Sequence, residues 1–506
     1  KRRYTAVLLV AVLLLTGVFS LTRLGSEFTP RLQEGSIVMR LTLAPSISLE
    51  ESKRITMIVE RRLMQIQEIR EVVSRIGRGE VGAHTDPVNS SEMYVLLEPA
   101  TAWRTDSQEE LVELIRQDVG SIPGVQVNFT QPIEMTVDEL LEGVRAELAV
   151  KLFGDDLGVL ESQAEIIASV LRKVDGARDV QVDQVSGTPQ LLIRINRNAI
   201  SRYGIPITEV QETIRAAVGG EAAGYVFEGI KRFEIVVRYR EERRATPEAI
   251  REILVPGSGE LLVPLSQLAT VETIVGPRQI TRENNQRFIT IQCNVTERDI
   301  GSFVADAQDA MESEIQLPPG YFTSWGGQFR LQQEANRRLA VVVPITLLLI
   351  ALLLYSNFNS LKNTLLILLN IPLALVGGIV ALWISGQNLS VPASVGFIAL
   401  FGIALENSMV LVTCMNQLMR EGMTPDQASE AGAKLRIRAV LMTAVTTAFG
   451  LLPLLFASGT GSEVQRPLAT VVVGGLFTST VLTLLVIPAF YKWFSMPPAK
   501  LEETVH

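Results

Sequence analysis

The sequence predicts a membrane α-helical bundle of six transmembrane helices, joined to a large extramembrane α+β region of two ferredoxin-like units and an inserted subdomain. Three observations predict this fold class. The 506 residues are 47% hydrophobic with a mean hydropathy of +0.27, which is high for a soluble protein and low for a chain buried wholly in lipid. Six apolar runs approach the length of a membrane-spanning helix. A long polar stretch with alternating strand and helix patterns separates the first run from the other five.

The apolar runs occupy residues 4–21, 339–355, 364–384, 391–415, 440–456 and 468–491. A helix rises 1.5 Å per residue, so about 20 apolar residues cross a hydrocarbon core about 30 Å thick. No small-residue cleavage site of a signal peptide follows the first run. We therefore predict one transmembrane helix at 1–23, five more at 337–495 and a cytoplasmic tail at 496–506, in a chain cut from a longer protein.

The basic residues predict how these helices are oriented. They precede the first run and lie in alternate connections, around Lys362, between Arg420 and Arg438, and at Lys492. Loops rich in Lys and Arg stay on the cytoplasmic side of the membrane. We therefore predict a multi-pass membrane protein whose polar stretch lies on the side opposite the cytoplasm, which is a bacterial periplasm if the host has one.

The polar stretch begins its strand and helix pattern at Gly35. The order β-α-β-β-α-β at 24–130 is that of a ferredoxin-like unit. A second unit, at 131–185 and 277–336, is interrupted by a subdomain at 186–276 that has its own strands and helix. Two similar units in series suggest a clamp that opens and closes, and a static extracellular domain is the alternative.

One acidic residue lies near the centre of an apolar run. Glu406 belongs to the stretch "GFIALFGIALENSMVLV", and a charge at mid-membrane costs about 2.5–3.5 kcal/mol unless it meets a partner or a water-filled cavity. Glu406 is therefore a candidate proton or ion site. The alternative is a protonated glutamate that hydrogen-bonds to a neighbouring helix. Thr443 and Thr447 could supply hydroxyl groups from the next run, or simply pack there.

Composition argues against several functional classes. The two cysteines, Cys293 and Cys414, lie in the polar stretch and in a membrane run, so no disulfide framework is predicted. A net charge of −8 and a pI of about 5.3 argue against a nucleic-acid partner and allow a cationic substrate. The chain has no phosphate loop, and its two histidines allow no Ser/His/Asp constellation. We predict neither an enzyme nor a resident cofactor.

Several longer stretches together resemble one known family. They include "FTPRLQEGSIVM", "FTQPIEMTVDELLEGVRAELAVKLFGDDL", "RYGIPITEVQETIRAAVGGEAAGYVFEG", "PPGYFTSWGGQFRLQQEANRRL" and "GTGSEVQRPLATVVVGG". With these stretches the chain resembles the C-terminal half of a resistance-nodulation-division (RND) permease of the heavy-metal efflux branch, the CzcA/CusA-like cation pumps. The resemblance covers nearly the whole chain.

This resemblance implies a partner and an assembly. An N-terminal half would supply six further membrane helices, and the complete permease would form a homotrimer. The two ferredoxin-like units would be porter subdomains. The insert at 186–276 would be a docking subdomain that meets neighbouring protomers and an outer-membrane channel, with a periplasmic adaptor protein completing the pump. Proton influx would drive export, with the proton and the metal as transported ions.

The resemblance also implies roles for individual residues. A glutamate of a proton-relay network in the copper and silver pumps matches Glu406, whereas a lysine of that network aligns with Val440 here. Of three methionines that bind copper in the porter cleft, the first matches Met39, and the other two fall on Ser90 and Glu139. This departure places a copper site in doubt.

A set of harder ligands lies in the same segments and favours zinc, cobalt, cadmium or nickel over copper or silver. The candidates are His84, Asp86, Glu92, Glu134 and Glu139. Glu34 is a candidate attracting charge at the cleft entrance, and its alternative role is that of a solvated residue at the start of a strand. His84 has the alternative of an ordinary surface histidine.

Two other functions stay open at this point. An RND exporter of organic compounds would need an aromatic-rich pocket, and an aromatic content of 6% argues mildly against one. A non-transporting membrane component of the same superfamily would need neither Glu406 nor the docking insert.

Overall fold

The computed structural model describes residues 3–77, 86–144, 146–259, 261–277, 279–457 and 459–495. The candidate ligand His84 and the predicted tail at 496–506 lie outside the described residues. The chain divides into two compact units. The larger unit comprises Lys1–Leu43, Ser48–Asp183 and Arg282–His506, and the smaller comprises Ala44–Ile47 and Gln184–Thr281.

The helices and strands alternate in the first two thirds of the chain, and helices follow alone. The helices are α1 (Arg3–Leu21), α2 (Leu49–Leu63), α3 (Gln108–Gly120), α4 (Pro132–Glu142), α5 (Leu157–Leu171), α6 (Arg197–Arg202), α7 (Ile207–Ile214), α8 (Pro247–Arg251), α9 (Ile300–Glu314), α10 (Gln328–Phe358), α11 (Leu361–Leu368), α12 (Asn370–Ile384), α13 (Val391–Arg420), α14 (Pro425–Leu455) and α15 (Ser462–Phe494). The strands are β1 (Ser36–Thr42), β2 (Ile69–Ile76), β3 (Ser90–Leu97), β4 (Gln126–Thr130), β5 (Leu148–Phe153), β6 (Ala177–Val182), β7 (Thr188–Ile195), β8 (Glu221–Glu228), β9 (Lys231–Val237), β10 (Leu254–Pro256), β11 (Leu262–Pro264), β12 (Ala269–Gly276), β13 (Arg282–Glu283), β14 (Gln286–Val295) and β15 (Phe322–Gly327).

The first α/β unit, residues 36–130, is a four-stranded antiparallel sheet with α2 and α3. The strand order is β2-β3-β1-β4. Ser48 and Ser107 begin α2 and α3, because each side chain accepts a hydrogen bond from a free amide of the first turn. The apolar faces of both helices pack on the sheet around Leu63, Leu111 and Ile115, which are fully buried.

The second α/β unit is formed by β5, α5, β6, β14, α9 and β15. Its sheet runs β6-β14-β5-β15, the same order of connections as in the first unit, with the short β13 also pairing with β14. The smaller unit lies in the chain between β6 and β14. It has its own core around Val210, Val255 and Leu265, and the exposed hairpin β8–β9.

In the part of the chain that the structure describes, five helical stretches are long and apolar enough to cross a membrane. They are Gln328–Phe358, Leu361–Ile384, Val391–Arg420, Pro425–Leu455 and Ser462–Phe494. Two of these, α10 and α14, extend well beyond the apolar runs of the sequence; a capping box at Thr424 starts α14 in polar sequence. Helix α1 is apolar and 19 residues long, about 29 Å, and the sixth span stays a prediction.

The membrane helices pack most closely where glycines face one another. A Cβ atom on Gly474 of α15 would lie 2.3 Å from the Cβ atom of Ala381 and 2.9 Å from the carbonyl oxygen of Gly377 on α12. The backbones of α12 and α15 therefore touch through small residues, which is common in helix pairs within membranes. Helices α12, α13 and α15 form the buried centre of this bundle, whereas α10 and α14 are largely exposed.

Candidate functional site

Glu406 lies on the open face of α13. The exposed residues of this helix recur every three or four positions, from Val395 through Gly402 and Glu406 to Val410 and Thr413. The opposite face packs against α12 and α15. Within the described part of the chain, the Glu406 carboxylate has no hydrogen-bond or ion-pair partner. Its role as a proton site stays a prediction.

The threonines of α14 differ in their contacts. The Thr443 hydroxyl donates a hydrogen bond of 2.9 Å to the side-chain oxygen of Asn407, the residue after Glu406, and so joins α14 to α13. Thr447 is half-buried one turn further along, and Val440 is packed in the helix interface at 2% exposure. The Thr443 hydroxyl therefore contacts the residue next to Glu406, and the predicted roles of Thr443 and Thr447 in a proton relay stay predictions.

A buried polar cluster on the other face of α13 was not predicted from the sequence. The Asn370 amide nitrogen of α12 lies 3.0 Å from the Ala404 carbonyl oxygen, 2.8 Å from the Ser408 hydroxyl and 2.8 Å from the Thr483 hydroxyl. These contacts fix the register of α12, α13 and α15 within four residues of Glu406. In the sequence, Asn370 inside the apolar run 364–384 was the signal that could have indicated this polar cluster.

The candidate ligands of the first α/β unit are distributed over both faces of its sheet. Met39 is fully buried in the apolar core beside Met93 and Phe129 on the neighbouring strands. Asp86 pairs with Arg40 at 2.9 Å, and the buried Glu92 carboxylate pairs with Arg75. Met39 therefore fills the core, and the two carboxylates sit in ion pairs.

Glu34 and Glu134 meet at the N-terminus of α4. The Glu34 carboxylate accepts hydrogen bonds from the Ile133 amide at 2.8 and 3.0 Å and from the Glu134 amide at 3.1 Å. Glu139 lies on the last turn of the same helix and is half-buried. Glu34 thus acts as a helix cap, and its suggested role as an attracting charge at the cleft entrance stays a prediction.

Glu134 is in an unusual electrostatic environment. Burial, first, and the nearby Glu147 carboxylate raise the pKa of this carboxyl group to about 7, although the Arg31 guanidinium opposes the shift. The side chain lines a cavity of about 100 Å³ between the two α/β units, together with Arg31, Gln131 and Glu147. Glu134 is therefore partly protonated at neutral pH.

A larger cavity of about 380 Å³ lies where the second α/β unit meets the ends of α12 and α15. Its walls carry the carboxylates of Glu27, Glu147, Glu297, Asp299 and Glu463 and the guanidinium groups of Arg31, Arg298 and Arg466. Burial raises the pKa of Glu27, and a hydrogen bond from Asn388 partly offsets this effect.

No group of three or more His, Cys, Asp or Glu side chains among the described residues is arranged to hold a metal ion. The predicted ligands lie in separate places: Met39 in a core, Asp86 and Glu92 in ion pairs, and Glu134 and Glu139 along α4. The metal site stays a prediction. The structure adds Arg31, Gln131 and Glu147 around Glu134, which no short motif in the sequence had marked.

Comparison with known proteins identifies the family. The family model described as "AcrB/AcrD/AcrF family" matches residues 1–495, so the chain belongs to this family of RND permeases. The solved structure titled "X-ray crystal structure of a heavy metal efflux pump, crystal form II" matches 98% of the chain and 51% of its own, with a TM-score of 0.85 and 36% identity. The protein therefore has the RND permease fold.

Curated relatives place the chain in the heavy-metal branch. The cobalt-zinc-cadmium resistance protein CzcA of Cupriavidus metallidurans is 42% identical over all of this chain and 49% of its own length. The nickel and cobalt resistance protein CnrA of the same organism is 41% identical over 92% of this chain and 44% of its own. The cation efflux system protein CusA of Escherichia coli is 32% identical over 96% of this chain and 48% of its own length. The predicted resemblance is confirmed, and the chain spans about half the length of these relatives.

Proposed function

We propose that this chain is the C-terminal half of a proton-driven permease that exports heavy-metal cations across a bacterial inner membrane. The observation that carries the proposal is the similarity to cobalt, zinc, cadmium and nickel resistance proteins over nearly the whole chain. Glu406 lies on the open face of α13 and has no partner among the residues that the structure describes, which supports the proton-coupled part of the proposal.

Glu406 is the proposed proton carrier. A carboxyl group in a membrane helix that meets no partner within its own bundle has to meet water or another protein surface. A proton that enters with the membrane potential releases about 2.3 kcal/mol per 100 mV, which supports about a fifty-fold concentration ratio for one proton per ion. Thr443 and Thr447 would assist by setting how α14 lies beside Glu406.

The proposed substrates are divalent cations of the zinc, cobalt, cadmium and nickel type, ahead of Cu(I) and Ag(I). Soft monovalent metals prefer thioether and thiolate ligands, whereas carboxylate and imidazole suit the divalent ions. Met39 is buried in a core, which weakens the copper alternative. Glu134 and Glu139, on α4 beside the cavity between the α/β units, are the better candidates for a carboxylate site, with Asp86, Glu92 and His84 as further candidates.

The remaining parts of the pump are also proposals. The chain would work with an N-terminal half, form a homotrimer, and join a periplasmic adaptor and an outer-membrane channel through the subdomain at 186–276. Helix α1 would be its sixth span. The shared strand order of the two α/β units supports two ferredoxin-like porter subdomains that open and close as a clamp.

The experiment is cation uptake into inside-out vesicles that hold the permease assembled from this chain and its partner half. Zinc, cobalt, copper and a lipophilic dye are tested at imposed pH gradients. Glu406→Gln is the test variant. Glu430→Gln is the matched control, because Glu430 is an exposed glutamate paired with Lys434 on α14.

We expect gradient-dependent zinc or cobalt uptake that Glu406→Gln abolishes and Glu430→Gln leaves unchanged. Uptake of copper alone would contradict the proposed substrate class. Dye uptake without metal uptake would favour an organic exporter, and no uptake of any substrate would favour a non-transporting component.

A further inference from the structure

The linker between α1 and β1, residues 22–35, is bound at one end to the helix that carries Glu406. The Val391 amide, at the first residue of α13, donates to the Phe28 carbonyl oxygen at 3.1 Å. Just before α13, the Leu389 amide donates to the Gly25 carbonyl oxygen at 2.9 Å, and the Glu27 amide donates to the Leu389 carbonyl oxygen at 3.1 Å. The linker thus pairs with the segment that enters α13.

At its other end the linker holds the N-terminus of α4. Glu34 accepts hydrogen bonds from the first free amides of α4, and its own amide donates to the Gln131 side-chain oxygen at 2.9 Å. The Gln131 side-chain nitrogen donates in turn to the Leu32 carbonyl oxygen. Residues 32–34 and the start of α4 therefore form one hydrogen-bonded unit.

Helix α4 has no cap of its own at this end. Gln131 occupies the N-cap position and its side chain makes no capping hydrogen bond, while Pro132 has no amide hydrogen to offer. The amides of the first turn carry the positive end of the helix dipole and need an acceptor, which is best an anion. Glu34 fills this need from about a hundred positions away in the sequence.

The linker makes further contacts within the same unit. Arg31 pairs with Glu147 at 2.7 Å and also donates to the Val295 carbonyl oxygen. The Gln332 side chain of α10 donates to the Ser26 hydroxyl. The Gln33 carbonyl oxygen accepts from the Thr460 hydroxyl, between α14 and α15, at 3.1 Å. The linker is therefore held by α10, α13 and the α14–α15 loop before it reaches α4.

We propose that Glu34 is a positioning residue that transmits displacements of α13 to α4 through the linker. A shift of α13 moves residues 25–28 through their shared backbone hydrogen bonds. Six residues beyond Phe28, Glu34 of the same linker holds α4, which bears Glu134 and Glu139. The inference rests on the proposed function, because its consequence is coupling between Glu406 and the proposed cation ligands on α4.

The test separates two roles of Glu34: it caps the N-terminus of α4, and it links α4 to the linker of residues 22–35. Glu34→Ala removes the cap and the carboxylate part of the link. Glu34→Ala combined with Gln131→Asp restores a local N-cap and also removes the Gln131 amide contact with Leu32, so the link is broken while α4 stays capped. Asp156→Ala is the matched control, because Asp156 caps α5 by accepting from the Val159 amide at 3.0 Å and makes no contact with the linker.

The first measurement is hydrogen exchange at the Ile133 and Glu134 amides in the assembled permease, with and without Glu406→Gln, which mimics the protonated carboxyl group. We expect Glu406→Gln to change exchange at these amides at least three-fold in the otherwise wild-type protein and in Asp156→Ala. It should have no effect in the Glu34→Ala/Gln131→Asp background. An equal effect in both backgrounds, or no effect in the wild type, would overturn the proposal.

The second measurement is gradient-driven zinc or cobalt uptake. The double variant should transport at least ten-fold more slowly than the wild type, even though hydrogen exchange shows that α4 is capped again. The uptake rate of Asp156→Ala should stay within two-fold of the wild-type rate. Uptake at the wild-type rate in the double variant would overturn the proposal and show that Glu34 acts only as a helix cap. If the double variant does not fold, Glu34→Gln replaces it. This variant loses the charge and one of the two acceptor oxygens, so the exchange response of the Ile133 and Glu134 amides to Glu406→Gln should fall at least two-fold, and an undiminished response would overturn the proposal. Absence of uptake in the wild type would refute the proposed function, while the exchange result still decides the link.

Discussion

Glu134 is expected to make the stability of this protein depend on pH between about 4.5 and about 7. Its pKa rises from an ordinary 4.5 to about 7 because the carboxyl group is buried and lies near the Glu147 carboxylate. The folded protein therefore holds this proton more tightly than the unfolded chain does. The stabilisation is fully present below pH 4.5 and is lost as the pH rises through 7, where the buried group ionises.

The size of this effect follows from the same values. A pKa that moves from 4.5 to about 7 corresponds to at most about 3 kcal/mol. The side chain is half-buried, so solvent screening reduces this limit, and we expect about 1–2 kcal/mol. Glu134→Gln keeps the shape of the side chain and cannot ionise. It should stabilise the protein by about this amount at pH 8 and change it little at pH 4.

The assay is thermal unfolding of the detergent-solubilised protein from pH 4 to pH 8, without added metal. The midpoint difference between Glu134→Gln and the wild type should rise from near zero at pH 4 to about 1–3 °C at pH 8. Glu165→Gln, an exposed carboxylate of α5, is the control and should show no such rise. A midpoint difference that is independent of pH, or a less stable Glu134→Gln at pH 8, would refute the reasoning.

Three further perturbations have expected outcomes in the same unfolding assay. Arg104→Ala should cost about 1–3 kcal/mol, because it removes two hydrogen bonds of 2.7 and 2.8 Å from the buried Glu68 carboxylate. Those bonds lower the pKa of Glu68 to about 2, so the cost should be full above pH 4.5 and shrink as the pH falls toward 2; a constant cost would contradict this origin. Gly474→Ala should cost about 1–3 kcal/mol through its contact with α12, whereas Gly450→Ala on α14, with open space around it, should be neutral or slightly stabilising. Asn370→Leu should cost about 1–3 kcal/mol, because the hydroxyl groups it binds on α13 and α15 lose their donor; an unchanged midpoint would show that they find other partners.

The apolar and strand patterns predicted much of the fold because they are local. Ser48 and Ser107 start helices directly before amphipathic periods, and α13 follows its apolar run closely. The helix α4 was not predicted, although Pro132 at its first position was a usable signal. Its cap comes from Glu34, and no local pattern reports an acceptor that far away in the chain.

The candidate site was less predictable than the fold, because an Asp or Glu in the sequence does not show which partner its carboxylate will have in the folded protein. Asp86 and Glu92 pair with arginines, Glu34 caps a helix, and Glu134 is buried beside another acid. These roles depend on pairs of residues brought together by the sheet and the linker. Spacing along the chain does not encode them, whereas a single charge inside an apolar run, such as Glu406, stands out at once.

The two faces of α13 support the case for a partner half. On the packed face, the Asn370 amide nitrogen donates to hydroxyl groups of α13 and α15, so these hydroxyl groups have a partner within the chain. On the open face, Glu406 lies near the middle of α13 and has no partner in the described part of the chain. Facing lipid, its charge would cost about 2.5–3.5 kcal/mol. A second protein surface or a water-filled cavity against this face removes that cost, and a family whose members are twice as long offers such a surface.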